Sequence, residues 1–159
     1  MILIKCILII SLLAILIQDY KERMVYWFLF PLFLIAAGFL FASNTIIEIY
    51  AFSVASNLIL CSIMLMILYV YFKLRYKSAF FEVMGLGDVL FLVALSFSFA
   101  PMSFLILLVS GLLFCLLIHQ TLSRAQTHET IPLAGYLSAF FCLVYVAHWT
   151  GIINHIYAL

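Results

Sequence analysis

Charged side chains are scarce in this sequence: Lys, Arg, Asp and Glu together account for 8% of its 159 residues, whereas 69% are hydrophobic. Soluble domains carry roughly 25% charged residues, so this composition excludes a soluble protein. The few basic residues form no patch of the kind that binds nucleic acid. The mean hydropathy is strongly positive. We therefore predict an integral membrane protein that is surrounded by the lipid bilayer.

Paired cysteines are lacking as well. The four cysteines are isolated within apolar runs: Cys6, Cys61, Cys115 and Cys142. No Cys-x-x-Cys spacing indicates a zinc site or a redox couple, so we interpret them as small buried hydrophobic residues. His119 and His128 flank a polar segment beside Glu129, but their spacing does not suit two ligands on one helix face. The sequence therefore predicts neither a metal site nor a cofactor.

Apolar stretches make up most of what is present. A membrane span needs about 20 apolar residues, and short polar breaks divide the sequence into six stretches near that length. The predicted spans cover residues 2–17, 25–42, 51–72, 86–100, 103–118 and 133–150. Pro101 separates the fourth from the fifth; if it only kinks one long helix, there are five spans. We predict an all-α fold in which residues 1–159 form one transmembrane domain.

Lysine and arginine define the orientation, because loops rich in these residues face the cytoplasm. Six of the seven basic residues fall in the first, third and fifth loops: Lys21, Arg23, Lys73, Arg75, Lys77 and Arg124. The second and fourth loops contain none, and Lys5 lies near the N-terminus. The three basic loops are therefore predicted to be cytoplasmic and both termini extracytoplasmic. Asp19 in the first loop and Asp88 at the end of the third then lie on one membrane face, with five spans as well as with six.

Aspartate occurs only twice in the chain, at Asp19 and Asp88. A carboxylate inside a hydrocarbon segment costs roughly 2.5 to 3.5 kcal/mol, so an acid at the mouth of such a segment is a candidate functional residue. Two neighbouring carboxylates cannot both ionise readily and share a proton, the arrangement with which aspartic proteases activate water. We expect Gly85 and Gly87 to adopt backbone conformations closed to other residues and to let a substrate strand approach closely.

Plainer interpretations of both aspartates stay open. Asp88 is also a suitable N-cap for a helix that begins at Val89. Asp19 could be a solvated loop acid paired with Lys21 or Arg23, an interaction worth little at a surface. The pair is harder to explain in this way, because a chain with only two aspartates places both on one predicted face.

Three motifs resemble those of the type IV prepilin peptidases. Residues 85–88, Gly-Leu-Gly-Asp, match the Gly-x-Gly-Asp signature of that family. Residues 19–23, Asp-Tyr-Lys-Glu-Arg, are similar to its first-aspartate motif, an aspartate with a basic and polar run after a membrane helix. Residues 131–135, Ile-Pro-Leu-Ala-Gly, resemble the Ile-Pro segment near the start of its last helix. The matches are spread over the chain in the order that the family has.

The resemblance implies a multi-pass aspartic endopeptidase of the bacterial inner membrane, with its active site facing the cytoplasm. Such an enzyme removes the basic leader of prepilin-like or pseudopilin-like proteins by Asp-pair activation of water, and these proteins and the bilayer are its implied partners. The implied site residues are the catalytic pair Asp19 and Asp88, the active-site loop glycines Gly85 and Gly87, and Arg23, Glu22 and Glu82 as support or leader contacts. Glu22 and Glu82 could attract a basic leader, but solvated loop acids are the plainer interpretation of both.

The sequence departs from the family pattern at several positions, and these departures limit which properties of the family can be expected of this chain. Members often have Ile-Pro soon after the first motif and lysine two residues after the second aspartate, where this chain has Met24-Val25 and Leu90. The fuller enzymes add a cysteine-rich zinc loop associated with N-methylation, so the isolated cysteines here imply a short form without N-methyltransferase activity. Two other functions stay open: a non-catalytic membrane assembly partner that retains the fold, and a small proton-coupled transporter, although a transporter's acid usually lies near the bilayer midplane.

Overall fold

The all-α class predicted from the sequence is confirmed. A computed structural model describes residues 1–22, 24–75, 85–122, 132–153 and 156–157, and within these ranges it contains six α-helices and no β-strand. The helices are α1 (Ile2–Glu22), α2 (Leu29–Asn44), α3 (Ile47–Arg75), α4 (Leu86–Leu95), α5 (Pro101–Leu122) and α6 (Leu133–Trp149). Apolar residues dominate all sides of α2, α4 and α5, as in helices that are surrounded by lipid and by one another.

Three of these helices are long and apolar enough to cross a membrane: α1, α3 and the segment Pro101–Thr121 of α5. At 1.5 Å per residue, the 29 residues of α3 extend about 44 Å, more than a hydrocarbon core about 30 Å thick. α2 and α6 have 16 and 17 residues, and α4 has only 10, about 15 Å. α4 by itself is shorter than the hydrocarbon core is thick, and the number of spans, six or five, stays a prediction.

The fourth predicted span ends earlier than its apolar composition suggested. α4 ends at Leu95, residues 96–100 form a turn, and α5 begins at Pro101. Proline suits the first helical position because its fixed φ matches the helix and the missing N–H would have no partner there. Pro101 therefore starts a new helix and does not kink a continuous one. Pro31 similarly lies in the first turn of α2, which begins at Leu29 and not at residue 25 as predicted.

The first helix is longer than predicted and includes Asp19. The polar run after residue 17 is a loop by its composition, but α1 continues through it to Glu22. α1 packs antiparallel to α6: near one end Asp19 bonds to Gly135, and near the other the Lys5 ammonium lies 5.0 Å from the centre of the Trp149 ring. Asp19 therefore projects from the last turn of a packed helix.

Aromatic side chains fill the space around α4. Phe91 of α4 is completely buried, stacked on Phe33 of α2 with ring centres 5.5 Å apart and tilted against Phe141 of α6 at 6.3 Å. Phe99, in the turn before α5, stacks on Phe141 at 5.6 Å. Separating two helices in a bilayer exposes their apolar surface to lipid and not to water, so the hydrophobic effect does not hold them together. Close packing of side chains does so instead. These rings fix α4, and with it Asp88 in its first turn, relative to α2 and α6.

Replacing Phe91 by alanine is expected to destabilise the helix bundle by up to about 3 kcal/mol, because the cavity removes the contacts of the ring with α2 and α6. The loss is smaller than in a water-soluble core, since the separated helices remain in lipid or detergent. Unfolding in mixed micelles, followed by circular dichroism, measures the change. Phe52→Ala is the matched control, because the Phe52 ring is 67% exposed; equal losses in both variants would contradict the packing role of Phe91.

Candidate functional site

The N-terminus of α6 binds both aspartates of the chain. The first N–H groups of a helix have no partner within it and need acceptors from elsewhere. The N–H of Ala134 donates to Oδ1 of Asp88 over 2.9 Å, and the N–H of Gly135 donates to Oδ2 of Asp19 over 2.6 Å. Pro132, the N-cap residue, supplies no side-chain cap. Two carboxylates from α1 and α4 thus take the place of a capping side chain.

The carboxylates of Asp19 and Asp88 lie close together because they bind the N–H groups of two consecutive residues. Because neighbouring Cα atoms are about 3.8 Å apart, carboxylates bound to neighbouring N–H groups are themselves close. Burial, and after it the negative charge of Asp19, raise the pKa of Asp88 to about 6. Hydrogen bonds from the backbone of Ala134 and Gly85 act on this pKa in the opposite direction. Like charges this close resist ionising together, so the pair retains a proton at a pH where isolated carboxyls have lost theirs.

Asp88 is the third residue of α4, outside the three helices that are long enough to cross a membrane. The helix begins at Leu86 with Gly85 as its N-cap, so the interpretation of Asp88 as the N-cap of a helix that starts at Val89 is wrong. The Asp88 carboxylate accepts a hydrogen bond from the N–H of Gly85, which is the usual reach-back bond of an acid at the third helical position. Asp88 therefore links the first turns of α4 and α6.

Asp19 is buried, with 9% of its surface exposed, so its interpretation as a solvated loop acid is wrong. Its bond to Gly135 has the short length of a charge-assisted hydrogen bond. The carboxylate also lies at the positive end of the α6 dipole, which favours an anion. Asp19 is therefore well suited to be the ionised member of the pair.

Gly135 permits this contact between α1 and α6. A Cβ atom at Gly135 would lie 3.1 Å from both Cβ and Oδ2 of Asp19, closer than nine in ten real Cβ contacts, so Asp19 would have to shift. The lack of a side chain lets the two helices approach until the N–H reaches the carboxylate. Ala134 and Gly135 are not among the site residues predicted from the sequence. The signal that could have found them is a pair of small residues within the first turn of the last predicted helix.

Gly85 and Gly87 do not have the backbone conformations expected of them. Gly85 is extended, with φ −60° and ψ 144°, and Gly87 lies in the first turn of α4; both conformations are open to other residues. Within the described ranges only Gly151 has a positive φ, of 82°. Cβ atoms at the two glycines would make ordinary contacts, at 3.6 Å with Oδ2 of Asp88 and at 3.5 Å with the ring of Phe30. The close approach of a substrate strand stays a prediction.

The remaining predicted site residues are one exposed acid and two residues outside the described ranges. Glu22 is the exposed last residue of α1, whereas Arg23 and Glu82 fall outside the part of the chain that the structure describes. Cys61 and Cys115 are buried, as predicted, whereas Cys142 is half-buried and Cys6 is exposed, so the interpretation as a buried residue is wrong for Cys6. Cys115, on α5, lies within electrostatic range of Asp88. Among the described residues, no three His, Cys, Asp or Glu side chains are grouped as a metal site would require.

Comparison of the chain with protein-family models, with curated proteins and with solved structures finds no match. The resemblance to the type IV prepilin peptidases therefore rests on three short motifs. The structure brings parts of all three into contact: Asp19 opens the first, Asp88 closes the second, and the third supplies the two N–H groups that bind them. Membership of that family stays a prediction.

Gly135→Ala is expected to displace Asp19 and to destabilise the fold by about 1 to 3 kcal/mol, the usual cost of adding a methyl group to a packed contact. Gly85→Ala and Gly87→Ala are matched controls, since their methyl groups make only ordinary contacts. Thermal unfolding in detergent measures the stability, and labelling of Asp19 with a hydrophobic carbodiimide, read by mass spectrometry, measures its displacement. Equal stability of all three variants would contradict the close packing of α6 on Asp19.

Proposed function

We propose that the protein is a membrane aspartic endopeptidase that cleaves the basic leader of prepilin-like proteins at the cytoplasmic face of a bacterial inner membrane. The observation that carries the proposal is the pair of hydrogen bonds that holds Asp19 and Asp88 on consecutive N–H groups of α6. These are the only two aspartates in the chain. The bonds bring both carboxylates to one end of an apolar helix bundle, where the pair can share a proton.

A shared proton gives the pair both halves of general acid–base catalysis. The ionised carboxylate accepts a proton from a water molecule as the water oxygen attacks the scissile carbonyl carbon. The protonated carboxyl donates its proton to the carbonyl oxygen, which gives a neutral tetrahedral intermediate. When the C–N bond breaks, one carboxyl protonates the leaving nitrogen and the other carboxylate takes the hydroxyl proton. The original protonation state returns, and no covalent adduct with the enzyme forms.

The surroundings of the two aspartates differ, and we assign their roles accordingly. Asp88 has the raised pKa of about 6 and is only partly buried, so it donates the proton to the carbonyl oxygen. Asp19, bonded to Gly135 at the positive end of α6, is the ionised member that accepts the proton from water. Two carboxylates this close titrate as a unit, so these roles state which ionised form the surroundings stabilise more.

The charges at this end of the bundle favour the cytoplasmic side. Lys21 lies in the last turn of α1, and Lys73 and Arg75 lie in the last turn of α3. α3 runs antiparallel to α4, so its basic end is the end that carries Asp88. Lysine and arginine concentrate on the cytoplasmic side of membrane proteins. A leader that precedes a hydrophobic helix would meet the pair at this surface, where Glu22 is exposed at the end of α1.

A second function is favoured by the same contacts. Both carboxylates cap the N-terminus of α6, a role that stabilises the bundle without any chemistry. A non-catalytic membrane assembly partner that retains the fold would keep the aspartates for this reason alone. Replacement of aspartate by asparagine separates the two functions, because the side-chain carbonyl of asparagine still accepts the bond from α6 but cannot transfer a proton.

Asp19→Asn and Asp88→Asn are each expected to lower the rate of leader cleavage by at least roughly 100-fold, because each removes one half of the acid–base pair. The purified protein and its variants are incubated in detergent with prepilin-like proteins encoded near its gene. Sequencing of the N-termini of the products identifies the cleaved bond, and the amount of product over time gives the rate.

Glu48→Gln is the matched control for these variants. Glu48 is exposed in the first turn of α3, at the end of the bundle away from the pair, so its replacement should leave cleavage unchanged. Cleavage that persists in either Asn variant would rule out the Asp-pair mechanism. If the wild-type protein cleaves none of the candidates and the double Asn variant fully complements a gene deletion, the assembly partner is the better explanation.

The pKa of Asp88 predicts a pH dependence of cleavage. The reaction requires one proton on the pair, and Asp88 loses its proton as the pH rises through about 6. We therefore expect kcat/KM, which reports the free enzyme, to fall about tenfold per pH unit above that value. Rates measured between roughly pH 5 and pH 8 at constant ionic strength test this. A kcat/KM that is constant or rises over this range would contradict the role of Asp88 as proton donor.

A further inference from the structure

A line of polar residues runs along one face of α3, the face on which Cys61 contacts α4 and Asn57 contacts the turn after it. Ser53, Asn57 and Cys61 follow one another at intervals of four residues, so they lie on one face of the helix. All three are buried, Ser53 and Asn57 completely. The side-chain amide of Asn57 donates to the carbonyls of Ser96 and Phe99, over 3.1 and 2.8 Å. Asn57 therefore ties α3 to the point where the α-helical pattern between α4 and α5 is interrupted.

These two bonds determine the orientation of the Asn57 amide. Carbonyl oxygens only accept hydrogen bonds, so the amide nitrogen must face them and Oδ1 must point away. Oδ1 is buried and has no hydrogen-bond partner among the described residues. An unpaired buried acceptor is costly, and more so where lipid keeps bulk water at a distance.

Ser53, one turn earlier on the same face, has a hydroxyl that is also buried and without a partner in the described part of the chain. The other buried serines in these ranges each donate to a carbonyl three or four residues earlier: Ser11, Ser96, Ser98 and Ser138. Ser53 does not make this bond. Its hydroxyl is therefore available to a group that also reaches Asn57.

We propose that Ser53 and Asn57 bind one buried water molecule between α3 and the turn that joins α4 to α5. The water donates one hydrogen bond to Oδ1 of Asn57 and shares a second with the hydroxyl of Ser53, which satisfies both atoms. Buried waters typically make two to four such bonds. A divalent cation does not fit, because hard cations take about six or more oxygen ligands and these two side chains offer two neutral oxygens.

The water affects the position of Asp88, because α4 connects the two places. Ser96 follows Asp88 by eight residues, about 12 Å along a helix. Asn57 holds the C-terminal end of α4 against α3, and the water holds Asn57 through its remaining acceptor. The hydrated contact thus fixes how far α4 extends toward the end of the bundle that carries the aspartates.

Selective ¹⁵N labelling of asparagine tests the site in the intact wild-type protein. The side-chain amide of buried Asn57 is expected to show a nuclear Overhauser effect to a water molecule with a long residence time. The exposed Asn44 is the internal control and should show only fast exchange with solvent. Ser53→Ala should abolish the Asn57 signal. Absence of the signal in the wild type, or its persistence in Ser53→Ala, would overturn the proposal.

Unfolding in mixed micelles is the second test. If its hydroxyl binds the water, Ser53→Ala shifts the unfolding equilibrium toward the unfolded state by about tenfold. Ser11→Ala, which loses only a bond to its own helix, is the matched control and should change less. Stabilisation by Ser53→Ala, or strict additivity of Ser53→Ala and Asn57→Leu, would contradict a shared water. A loss of stability when sodium and potassium are replaced by an organic cation would indicate a bound metal ion and also overturn the proposal.

Discussion

The first N–H groups of helix α6 lie inside an apolar bundle and need hydrogen-bond acceptors. The positions of Asp19 and Asp88 follow from this requirement, because their carboxylates are the acceptors. Where water is excluded, an unpaired N–H costs several kcal/mol. Pro132 has no N–H to satisfy, while Ala134 and Gly135 donate to carboxylates from α4 and α1. Three helices that are far apart in the sequence are joined at one turn by these two bonds.

The same contacts place the carboxylates under opposing influences. The N–H donors and the dipole of α6 favour the ionised forms, whereas burial and mutual repulsion favour a protonated form. For Asp88 the effects of burial and of repulsion by Asp19 are larger than those of its two N–H donors, because its pKa is raised to about 6. In mildly acidic solution the two aspartates together therefore hold one negative charge and one proton. Loss of the second proton would place two negative charges side by side in a region of low dielectric constant, whereas the singly protonated state is the one that acid–base chemistry requires.

Local sequence predicts the helical class and the break at Pro101, because both depend on composition and on proline geometry. The distribution of lysine and arginine placed the two aspartates on one face, and the structure places them at one end of the bundle. The end of α1 was not predictable in this way: the helix continues through a polar run to Glu22, and α6 binds the acid in its last turn. The need for glycine at Gly135 arises only from the approach of Asp19, so the local sequence shows a pair of small residues there but not the reason for them. Gly85 is the opposite case. It belongs to a recognisable motif, yet its backbone has a conformation that other residues can also adopt.

The short helix α4 is pinned at both ends by different neighbours: Asp88 bonds to α6, and the carbonyl of Ser96 accepts from Asn57 of α3. With 10 residues it is about 15 Å long, so a small rotation about one end displaces the other end. A tilt of roughly 10° about the Asn57 end would move the other end by about 2.6 Å, enough to break the bond to Ala134. Any polypeptide segment that enters by pushing α4 aside would therefore part the two carboxylates as it arrives. A segment that took this path and a proton shared by the two aspartates would therefore require two different positions of α4.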